Sequence, residues 1–451
     1  MRIPRRKKLL RAMLGSGSRT VNLLQYSPAA WYKPGVGVTG TLTASNWADQ
    51  SGNGRDLAQG TAGNQPIYLP YTGTAYAYLP GVSGNYFSTP DSVANSITGD
   101  IDIRVYCAMD DWTPSAINSL FGKWDTTSDN RGYIVSIRTG GQIALDGSIT
   151  GGAGAGASFT AISTAAVSFT NGSAGWIRVT RASASGNCNF YTSDDGSTWT
   201  LLGSANVTSD AGGLFNNTAV LQISDFNAGG GSQPAKGKVY RAQIYNGIGG
   251  TLAVDFNAAD FAETSTNGAT AVSSGTGETW TLNSTGAKPA TVVKSPQLLF
   301  DGTASYMTAN VPLAASTVYI VGKQVSWTVN DTMFAGNVNG INIYQVTSSP
   351  TIGLFAGSAA CANSDLAVGS FGILSAVFNG AGSSLTVNNG TPSTGNAGTP
   401  NETTVTLGAA GGGGSNWANI IVKEIIAFPA AHDAATRAQI QSYLNSKYGV
   451  F

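Results

Sequence analysis

The chain has 451 residues, of which 24 are Lys or Arg and 24 are Asp or Glu, so its formal net charge is zero. Only 11% of the residues are charged, whereas 42% are hydrophobic and 59 are glycine, which excludes a disordered chain and is typical of an all-β protein with many tight turns. Three cysteines exclude a disulfide framework, and the lack of a long apolar run excludes a transmembrane helix.

Residues 1–26 are predicted to form a basic arm and a linker. Seven of the 24 basic residues lie before residue 20, and the first acidic residue is Asp49, so the rest of the chain is acidic. Residues 5–14 can form a short basic helix, and Gly-Ser-Gly-Ser at 15–18 is a flexible joint. A basic arm on an acidic body predicts docking to an acidic protein surface. The residues assigned to this anchoring are Arg5, Arg6, Lys7, Lys8 and Arg11.

A repeated motif divides the remaining chain into two copies of one design. The pattern Gly-x-x-(Leu/Trp)-x-x-x-(Thr/Ser)-x-Gly-x-x-Pro occurs at 54–66 and again at 277–289. The interpretation is a first domain over residues 27–292 and a second over 293–451, with the motif as the opening turn of each. A second arrangement stays open, in which residues 47–66 pack on the second copy and the first copy is an insertion.

Short apolar runs separated by Gly, Asn, Asp and Pro predict strands in both copies. The clearest are 101–107 and 176–181, where apolar residues alternate with polar ones. One helix is predicted at 433–448, with Asp433 as its N-cap and Gly449 as its stop. The predicted fold class is all-β: two tandem antiparallel β-sandwiches of the jelly-roll type, a basic N-terminal arm and one C-terminal helix.

Few residues are suited to catalysis. The four glutamates are far apart in sequence, which excludes the paired carboxylates that jelly-roll glycosidases carry on one strand. The single histidine, His432, has no nucleophile motif near it, and neither a phosphate loop nor a zinc-spaced Cys/His set is present. The sequence therefore predicts a protein that is not an enzyme and needs no cofactor.

Three segments are candidate sites with a structural alternative each. Residues 192–199 fit the Asp-box hairpin, with Asp194 and Thr198 bonded to the turn, and this motif is expected to stabilise structure. Residues 49–56 fail as an EF-hand, but calcium held by Asp49, Asn53 and Asp56 and an Asn/Gly-rich turn both stay open. Aromatic residues that crowd the start of the first copy are candidates for stacking on sugar rings, against the alternative of core packing. They are Trp31, Tyr32, Tyr71 and Tyr76.

Three segments together carry a family resemblance. Trp-Tyr-Lys-Pro-Gly at 31–35, followed by Trp-Ala-Asp-Gln-Ser-Gly-Asn-Gly at 47–54, resembles the opening of laminin-G-like, concanavalin-type jelly rolls of phage and prophage proteins. Leu-Phe-Asp-Gly at 299–302 resembles the next strand of that family. Ile-Ile-Ala-Phe at 425–428 and the helix after it are similar to the closing strand and helix.

The resemblance implies a virion component, such as a tail fibre, a receptor-binding protein or a capsid decoration. Its implied partners are other virion proteins, reached through the arm, and host-surface glycans, with no membrane and a homo-oligomeric assembly. Calcium-dependent glycan binding is not carried over, because no metal-ligand set is evident in the sequence. The alternatives are a carbohydrate-active depolymerase, which needs an unrecognised pair of aspartates, and a bacterial surface adhesin, which needs an export signal.

Overall fold

A computed structural model of the chain describes residues 23–286, 288–309, 311–313, 315–336, 340–401 and 404–451. The anchoring residues Arg5, Arg6, Lys7, Lys8 and Arg11 lie outside these ranges, so their assignment stays a prediction. The described ranges hold 34 strands, one α-helix and short 3-10 helices at Leu23–Tyr26, Ala62–Asn64, Val93–Asn95, Thr127–Asp129, Asn227–Gly229 and Ala258–Asp260. No helix in these ranges is long and apolar enough to cross a membrane.

The strands fall into three consecutive groups along the chain. The first group is β1 Ala30–Tyr32, β2 Val38–Thr39, β3 Asn46–Trp47, β4 Leu57–Ala58 and β5 Ile67–Leu69. The second group is β6 Tyr76–Pro80, β7 Tyr86–Thr89, β8 Ile101–Met109, β9 Asn118–Asp125, β10 Asn130–Ile137, β11 Gln142–Ser148, β12 Ser158–Ala166, β13 Gly175–Ala182, β14 Asn187–Ser193, β15 Thr200–Leu201, β16 Val207–Thr208, β17 Leu221–Ile223, β18 Lys236–Asn246, β19 Thr251–Asn257, β20 Thr270–Val272, β21 Thr279–Asn283 and β22 Thr291–Val293. The third group is β23 Gln297–Asp301, β24 Met307–Ala309, β25 Thr317–Gln324, β26 Thr332–Gly336, β27 Asn342–Gln345, β28 Ile352–Phe355, β29 Cys361–Asn363, β30 Gly372–Val377, β31 Ser383–Val387, β32 Ser393–Gly395, β33 Val405–Leu407, β34 Asn419–Phe428 and the helix α1 Ala434–Tyr448.

The second group forms a complete β-sandwich, which we call the inserted sandwich. Its sheet 1 has the strand order β15-β14-β13-β8-β18-β6-β22, and its sheet 2 has the order β12-β11-β10-β9-β17-β7-β21-β20. All pairings between these strands are antiparallel, and one apolar core lies between the two sheets. The predicted strands at 101–107 and 176–181 are confirmed as β8 and β13.

The first and third groups together form the other sandwich, which we call the split sandwich. Its sheet 3 has the order β32-β31-β30-β25-β34-β23-β5, with β1 also paired to β34, and its sheet 4 has the order β2-β3-β4-β24-β33-β26-β27-β28-β29. The helix α1 covers part of sheet 3 through Ile440 and Leu444. Asp433 caps the helix by accepting a bond from the Thr436 amide at 2.8 Å, and Gly449 ends it at φ +58, as predicted.

The assignment of residues 27–69 to the first domain is wrong. Strand β5 pairs with β23, and β4 pairs with β24, so both belong to the split sandwich. Tyr32, Trp47 and Leu57 lie in the core of that sandwich, together with residues from the third group. The second arrangement left open by the sequence is the observed one: residues 70–296 are an insertion between two adjacent strands.

The two sandwiches have the same strand order, but their opening segments are exchanged. The strands β23 to β34 occupy the same successive positions in sheets 3 and 4 as the strands β6 to β18 occupy in sheets 1 and 2. The opening segment that precedes the inserted sandwich, β1 to β5, completes the split sandwich. The segment β19 to β22, which comes before β23 in the chain, completes the inserted sandwich. The repeated motif has equivalent roles in both, because its Leu57 and Trp280 are buried in the two cores.

The chain crosses between the sandwiches at one joint. A small apolar cluster lies there, formed by Leu69 of β5, Tyr76 and Tyr78 of β6, and Val293 of β22. Nearby, Glu263 of the inserted sandwich accepts a hydrogen bond of 2.8 Å from Lys423 Nζ of the split sandwich. The joint therefore covers one end of the outward face of sheet 1 and leaves the rest of that face open.

Candidate ligand-binding face

The outward side of sheet 1 concentrates aromatic and arginine side chains. Ile103 and Val105 of β8 are buried in the core, so the alternating residues of that strand point away from it. The same alternation on the neighbouring strands builds a continuous surface, which we call the aromatic face. Its residues are Arg104 and Tyr106 on β8, Trp176 and Arg178 on β13, Tyr191 on β14, Trp199 between β14 and β15, and Tyr240 and Tyr245 on β18.

The aromatic rings contact one another in a row that crosses several strands. The ring centroids of Tyr240 and Tyr106 are 4.7 Å apart, and those of Tyr106 and Trp176 are 5.1 Å apart with the rings nearly parallel. Trp199 meets Trp176 edge to face at 6.4 Å. Each of these four side chains is partly exposed. Because the inner rings stack on one another, they offer mainly their edges to solvent, and Trp199 is the ring at the open end of the row.

Beside this row, Arg104 and Arg178 share one buried carboxylate. Asp102 has no exposed side-chain surface. Its carboxylate accepts hydrogen bonds from Arg104 Nε at 3.1 Å and Nη2 at 2.9 Å, and from Arg178 Nε at 3.0 Å and Nη2 at 2.8 Å. The amide of Gly249 donates a further bond to it at 3.0 Å. These contacts fix both guanidinium groups side by side on the face.

The charges of this triad stabilise one another. Burial alone opposes ionisation of Asp102, but the hydrogen bonds from Arg104 and Arg178 outweigh it and hold the pKa of the carboxyl below its usual range. Burial also disfavours the charged form of Arg104, yet its bonds to Asp102 raise the pKa of this guanidinium. Asp102 is therefore ionised at neutral pH, and because arginine side chains keep their charge in proteins, the triad carries one net positive charge.

Aromatic rings enclose the two guanidinium groups. Trp199 lies between them, with its ring centroid 5.5 Å from the Cζ atoms of both Arg104 and Arg178. Tyr245 flanks Arg104 at 4.1 Å, and Tyr191 flanks Arg178 at 5.2 Å. Rings at these distances attract cations and exclude part of the water around them. The result is a preformed site in which rigid rings alternate with charged hydrogen-bond donors.

The turn that carries Trp199 is organised by Asp195, not by Asp194 as the Asp-box assignment expected. The Asp195 carboxylate accepts hydrogen bonds from the amides of Ser197 at 2.8 Å and Thr198 at 2.7 Å. These backbone bonds lower the pKa of the carboxyl. Gly196 has φ +72, and a Cβ atom there would lie 2.8 Å from the Trp176 ring, so the turn rests directly on the aromatic row.

Hydrogen-bonding capacity is left over on this face. Of the nine tryptophans, six donate their indole N–H within the protein: Trp31, Trp47, Trp112, Trp280, Trp327 and Trp417. The other three have no such partner among the described residues: Trp176 and Trp199 on the aromatic face, and Trp124 on sheet 2. The Nη1 groups of Arg104 and Arg178 have none there either. A ligand can take up these donors.

A concave region lies between the two sandwiches. This cleft has a volume of about 560 Å³ and is lined by polar residues that include Asp301, Asp331, Thr266 and Asn419. Burial raises the pKa of Asp331 to about 6. No aromatic side chain lines the cleft within the described ranges. The aromatic face is therefore the better candidate for binding a ring-shaped ligand.

The aromatic residues that the sequence proposed as a stacking surface lie elsewhere. Tyr32 and Tyr76 are 0% and 2% exposed, and their hydroxyls donate to the carbonyls of Arg55 at 2.5 Å and Pro70 at 2.6 Å. Trp31 is buried and donates its indole N–H to Glu424 at 2.7 Å. The ligand-binding assignment is wrong for these three, since packing covers their rings. Tyr71 is partly exposed, and its assignment stays a prediction.

The residues proposed for calcium build a turn. The Asp49 carboxylate accepts hydrogen bonds from the amides of Trp31 and Ser51, both at 2.9 Å, and from the Arg55 amide at 3.2 Å. Asp56 accepts from the Asp49 amide, and the Asn53 side chain donates to the carbonyls of Pro28 and Ala29. N–H donors thus occupy oxygens that calcium would need. Calcium binding here stays a prediction that the described contacts do not favour.

The residues of the aromatic face were missed by the sequence interpretation, although a signal was present. The alternation at 101–107 and 176–181 predicts core residues on one side of each strand. The same alternation assigns Arg104, Tyr106, Trp176 and Arg178 to the opposite side. An exposed strand face that carries Trp, Tyr and Arg is unusual enough to single out as a binding surface.

Comparison with known proteins gives distant likenesses only. No protein-family model matches the chain, and no curated protein matches it. Among solved structures it is similar to a protein from Bacteroides ovatus described as carbohydrate binding, with 14% identity, a TM-score of 0.34, and coverage of 50% of this chain and 60% of that one. This chain therefore spans less than two thirds of that protein.

Laminin structures are also among the similar ones. The LG1-3 region of the laminin α2 chain has 10% identity, covers 80% of this chain and 64% of its own, and has a TM-score of 0.32. Domains LG4-5 of the mouse laminin α1 chain have 11% identity, cover 80% of this chain and 92% of their own, and have a TM-score of 0.30. At such scores these likenesses say nothing about what this chain binds.

Proposed function

We propose that the protein is a non-enzymatic adhesive protein that binds glycans on the aromatic face of its inserted sandwich. The observation that carries this proposal is the group formed by Trp199, Arg104 and Arg178, in which a partly exposed ring and unpartnered N–H donors lie together on a sheet. Glycan sites need both kinds of group, because sugar rings have apolar C–H surfaces and hydroxyl acceptors. Side chains held by strands and by Asp102 need little reordering on binding.

The chemistry of the face supports binding rather than hydrolysis. A glycosidase needs one carboxylic acid with a raised pKa beside a second carboxylate. The carboxylate at the centre of this face, Asp102, has a lowered pKa and is covered by two guanidinium groups. The next one, Asp255, is paired with Arg241 at 2.6 Å. These carboxylates hold basic side chains in place.

We further propose that the protein is a structural component of a phage particle, exposed as an appendage or decoration. The support is the charge distribution, with seven basic residues before residue 20 and an acidic remainder, together with the resemblance of residues 31–35 and 47–54 to phage jelly rolls. The basic arm would dock on an acidic virion surface. Deletion of residues 1–19 should abolish incorporation into particles, and undiminished incorporation would contradict this role.

The binding proposal is tested with a variant of the aromatic face. Trp199→Ala removes the ring between the two arginines and should lower binding to immobilised bacterial surface polysaccharide by roughly tenfold or more. Trp124→Ala is the matched control, since Trp124 is a partly exposed tryptophan at the end of β9 in sheet 2. Equal loss in both variants, or none in either, would contradict the assignment. Shortening of the polysaccharide by the wild-type protein would identify a depolymerase instead.

A further inference from the structure

The donors left over on the aromatic face belong mainly to two guanidinium groups. A guanidinium has five N–H donors, and Arg104 and Arg178 each use the Nε and Nη2 side for Asp102. The edge formed by Nη1 and Nη2 stays available on both side chains, which are 16% and 15% exposed. Trp199 adds an unpartnered indole N–H between them. The centre of the face is thus rich in donors and poor in acceptors.

Charge at the centre of the face is unbalanced, whereas two of the basic side chains at its margins are paired with carboxylates. Two arginines share the single carboxylate of Asp102. At the margins, Arg241 is paired with Asp255 at 2.6 Å, and Lys236 lies 3.7 Å from Asp110. The amides of Ser197 and Thr198 donate hydrogen bonds to the Asp195 carboxylate, so this carboxylate faces the turn of its own hairpin. One positive charge therefore remains where the rings converge, although the chain beyond the arm is acidic.

We propose that the aromatic face recognises its saccharide through an anionic group, a carboxylate or a sulfate, held against the free edges of Arg104 and Arg178. This inference rests on the proposed glycan binding and specifies the class of glycan. The planar edge of a guanidinium matches two oxygens of such a group, and charge-assisted bonds of this kind are roughly twice as strong as neutral ones. The rings of Trp199, Tyr191 and Tyr245 hold the guanidinium groups in a fixed orientation.

Asp102 is a positioning residue in this arrangement. It lies beneath the arginines with no exposed side-chain surface, so it cannot touch a ligand itself. Its bonds turn the Nε sides of both groups inward and leave the Nη1 sides pointing out. A guanidinium pair without this anchor would repel and separate. The shared carboxylate therefore keeps two like charges close enough to act on one anionic group.

The test measures binding of the full chain to three polymers by isothermal titration calorimetry. Polygalacturonate carries carboxylates, dextran sulfate carries sulfates, and dextran is neutral. The wild-type protein should bind one or both acidic polymers at least about tenfold more tightly than dextran, with affinity that falls as salt is raised. Arg104→Gln and Arg178→Gln should each remove most of this preference. The matched control is Arg138→Gln, because Arg138 pairs with Asp146 on sheet 2.

Two further variants separate the possible failures. Arg104→Lys keeps the charge but loses the planar edge, so it should weaken binding while the fold is retained. Asp102→Asn should also weaken binding, although Asp102 itself does not contact the ligand. If dextran binds as well as the acidic polymers and Trp199→Ala still abolishes binding, the anionic inference is overturned and glycan binding stands. If no polymer binds measurably to the wild-type protein, both proposals are overturned.

Discussion

Lys323 is a buried amine that has no hydrogen-bond partner within the described ranges. The side chain is 0% exposed, its Nζ has no hydrogen-bond acceptor among the described residues, and the Phe371 ring lies 4.6 Å away. Burial, and then the charge of nearby Lys423, lower its pKa to about 7. The outward side of sheet 3 therefore contains a lysine whose charged form is disfavoured by folding.

This residue should make stability depend on pH. An unfolded lysine has a pKa of about 10.4, so between pH 7 and that value the unfolded chain binds a proton that the folded chain does not. The free energy of unfolding should rise with pH across this window, by roughly 1.4 kcal/mol per unit from this residue. Lys323→Met should remove that rise and stabilise the protein at pH 7, as measured by urea unfolding at pH 7, 8 and 9.

The control for this measurement is Lys236→Met, because Lys236 is 55% exposed. It should leave the pH dependence of the wild-type protein unchanged. If Lys323→Met keeps the wild-type slope, then Lys323 is charged in the folded state, and the stated cause is wrong.

The turn of the hairpin between β14 and β15 holds Trp199 in position within the candidate site. Asp195 bonds to the backbone of the turn, Gly196 lies against Trp176, and Trp199 follows between the two arginines. The position of Trp199 therefore depends on a carboxylate that does not belong to the aromatic face.

Asp195→Ala should weaken glycan binding, because the turn loses its backbone acceptor and Trp199 loses its fixed position. Asp194→Ala is a matched control at the adjacent exposed position, and it should bind like the wild-type protein. Binding isotherms of the two variants against the same polysaccharide make the comparison. The opposite ranking would show that Asp194, as the Asp-box assignment expected, and not Asp195, holds Trp199 in position.

Local patterns in the sequence were sufficient to predict elements such as β8, β13 and α1, but not to predict the candidate site. Alternation predicted β8 and β13, and the capping residues Asp433 and Gly449 predicted α1, because these signals act between near neighbours. Burial of Trp31 depends on Glu424, almost the whole chain away. No local pattern carries such information, so aromatic residues of the core were taken for a surface and those of the surface were overlooked.

At the scale of the whole molecule, exchange of the opening segments defines the architecture. Leu69 at the end of β5 and Gln297 at the start of β23 are directly paired, so the insertion leaves and rejoins the split sandwich at neighbouring positions. The motif could not predict this arrangement, because the same pattern occurs in both opening segments. Only the pairing of β5 and β22 with their partners decides it.

Replacement of residues 70–296 by Asn-Gly should leave a folded protein. Antiparallel partners lie about 5 Å apart, and Asn-Gly suits a two-residue hairpin turn between them. Circular dichroism should show that the shortened chain unfolds in one cooperative transition.

The comparison is a fragment of residues 293–451, which has lost β1 to β5 and with them Tyr32, Trp47 and Leu57 of the core. This fragment should fail to unfold cooperatively. A stable, cooperative fragment would show that the opening segment is dispensable and would contradict the split arrangement.

The proposed role of the inserted sandwich is to bind a glycan on the aromatic face. The most direct measurement is a crystal structure of the full chain with an oligosaccharide cut from the polymer that it binds most tightly. We predict that a sugar ring contacts Trp199 and that an anionic group lies within hydrogen-bond distance of Arg104 and Arg178. An oligosaccharide bound in the cleft beside Asp331 and Asn419, with the aromatic face empty, would contradict the proposed binding site.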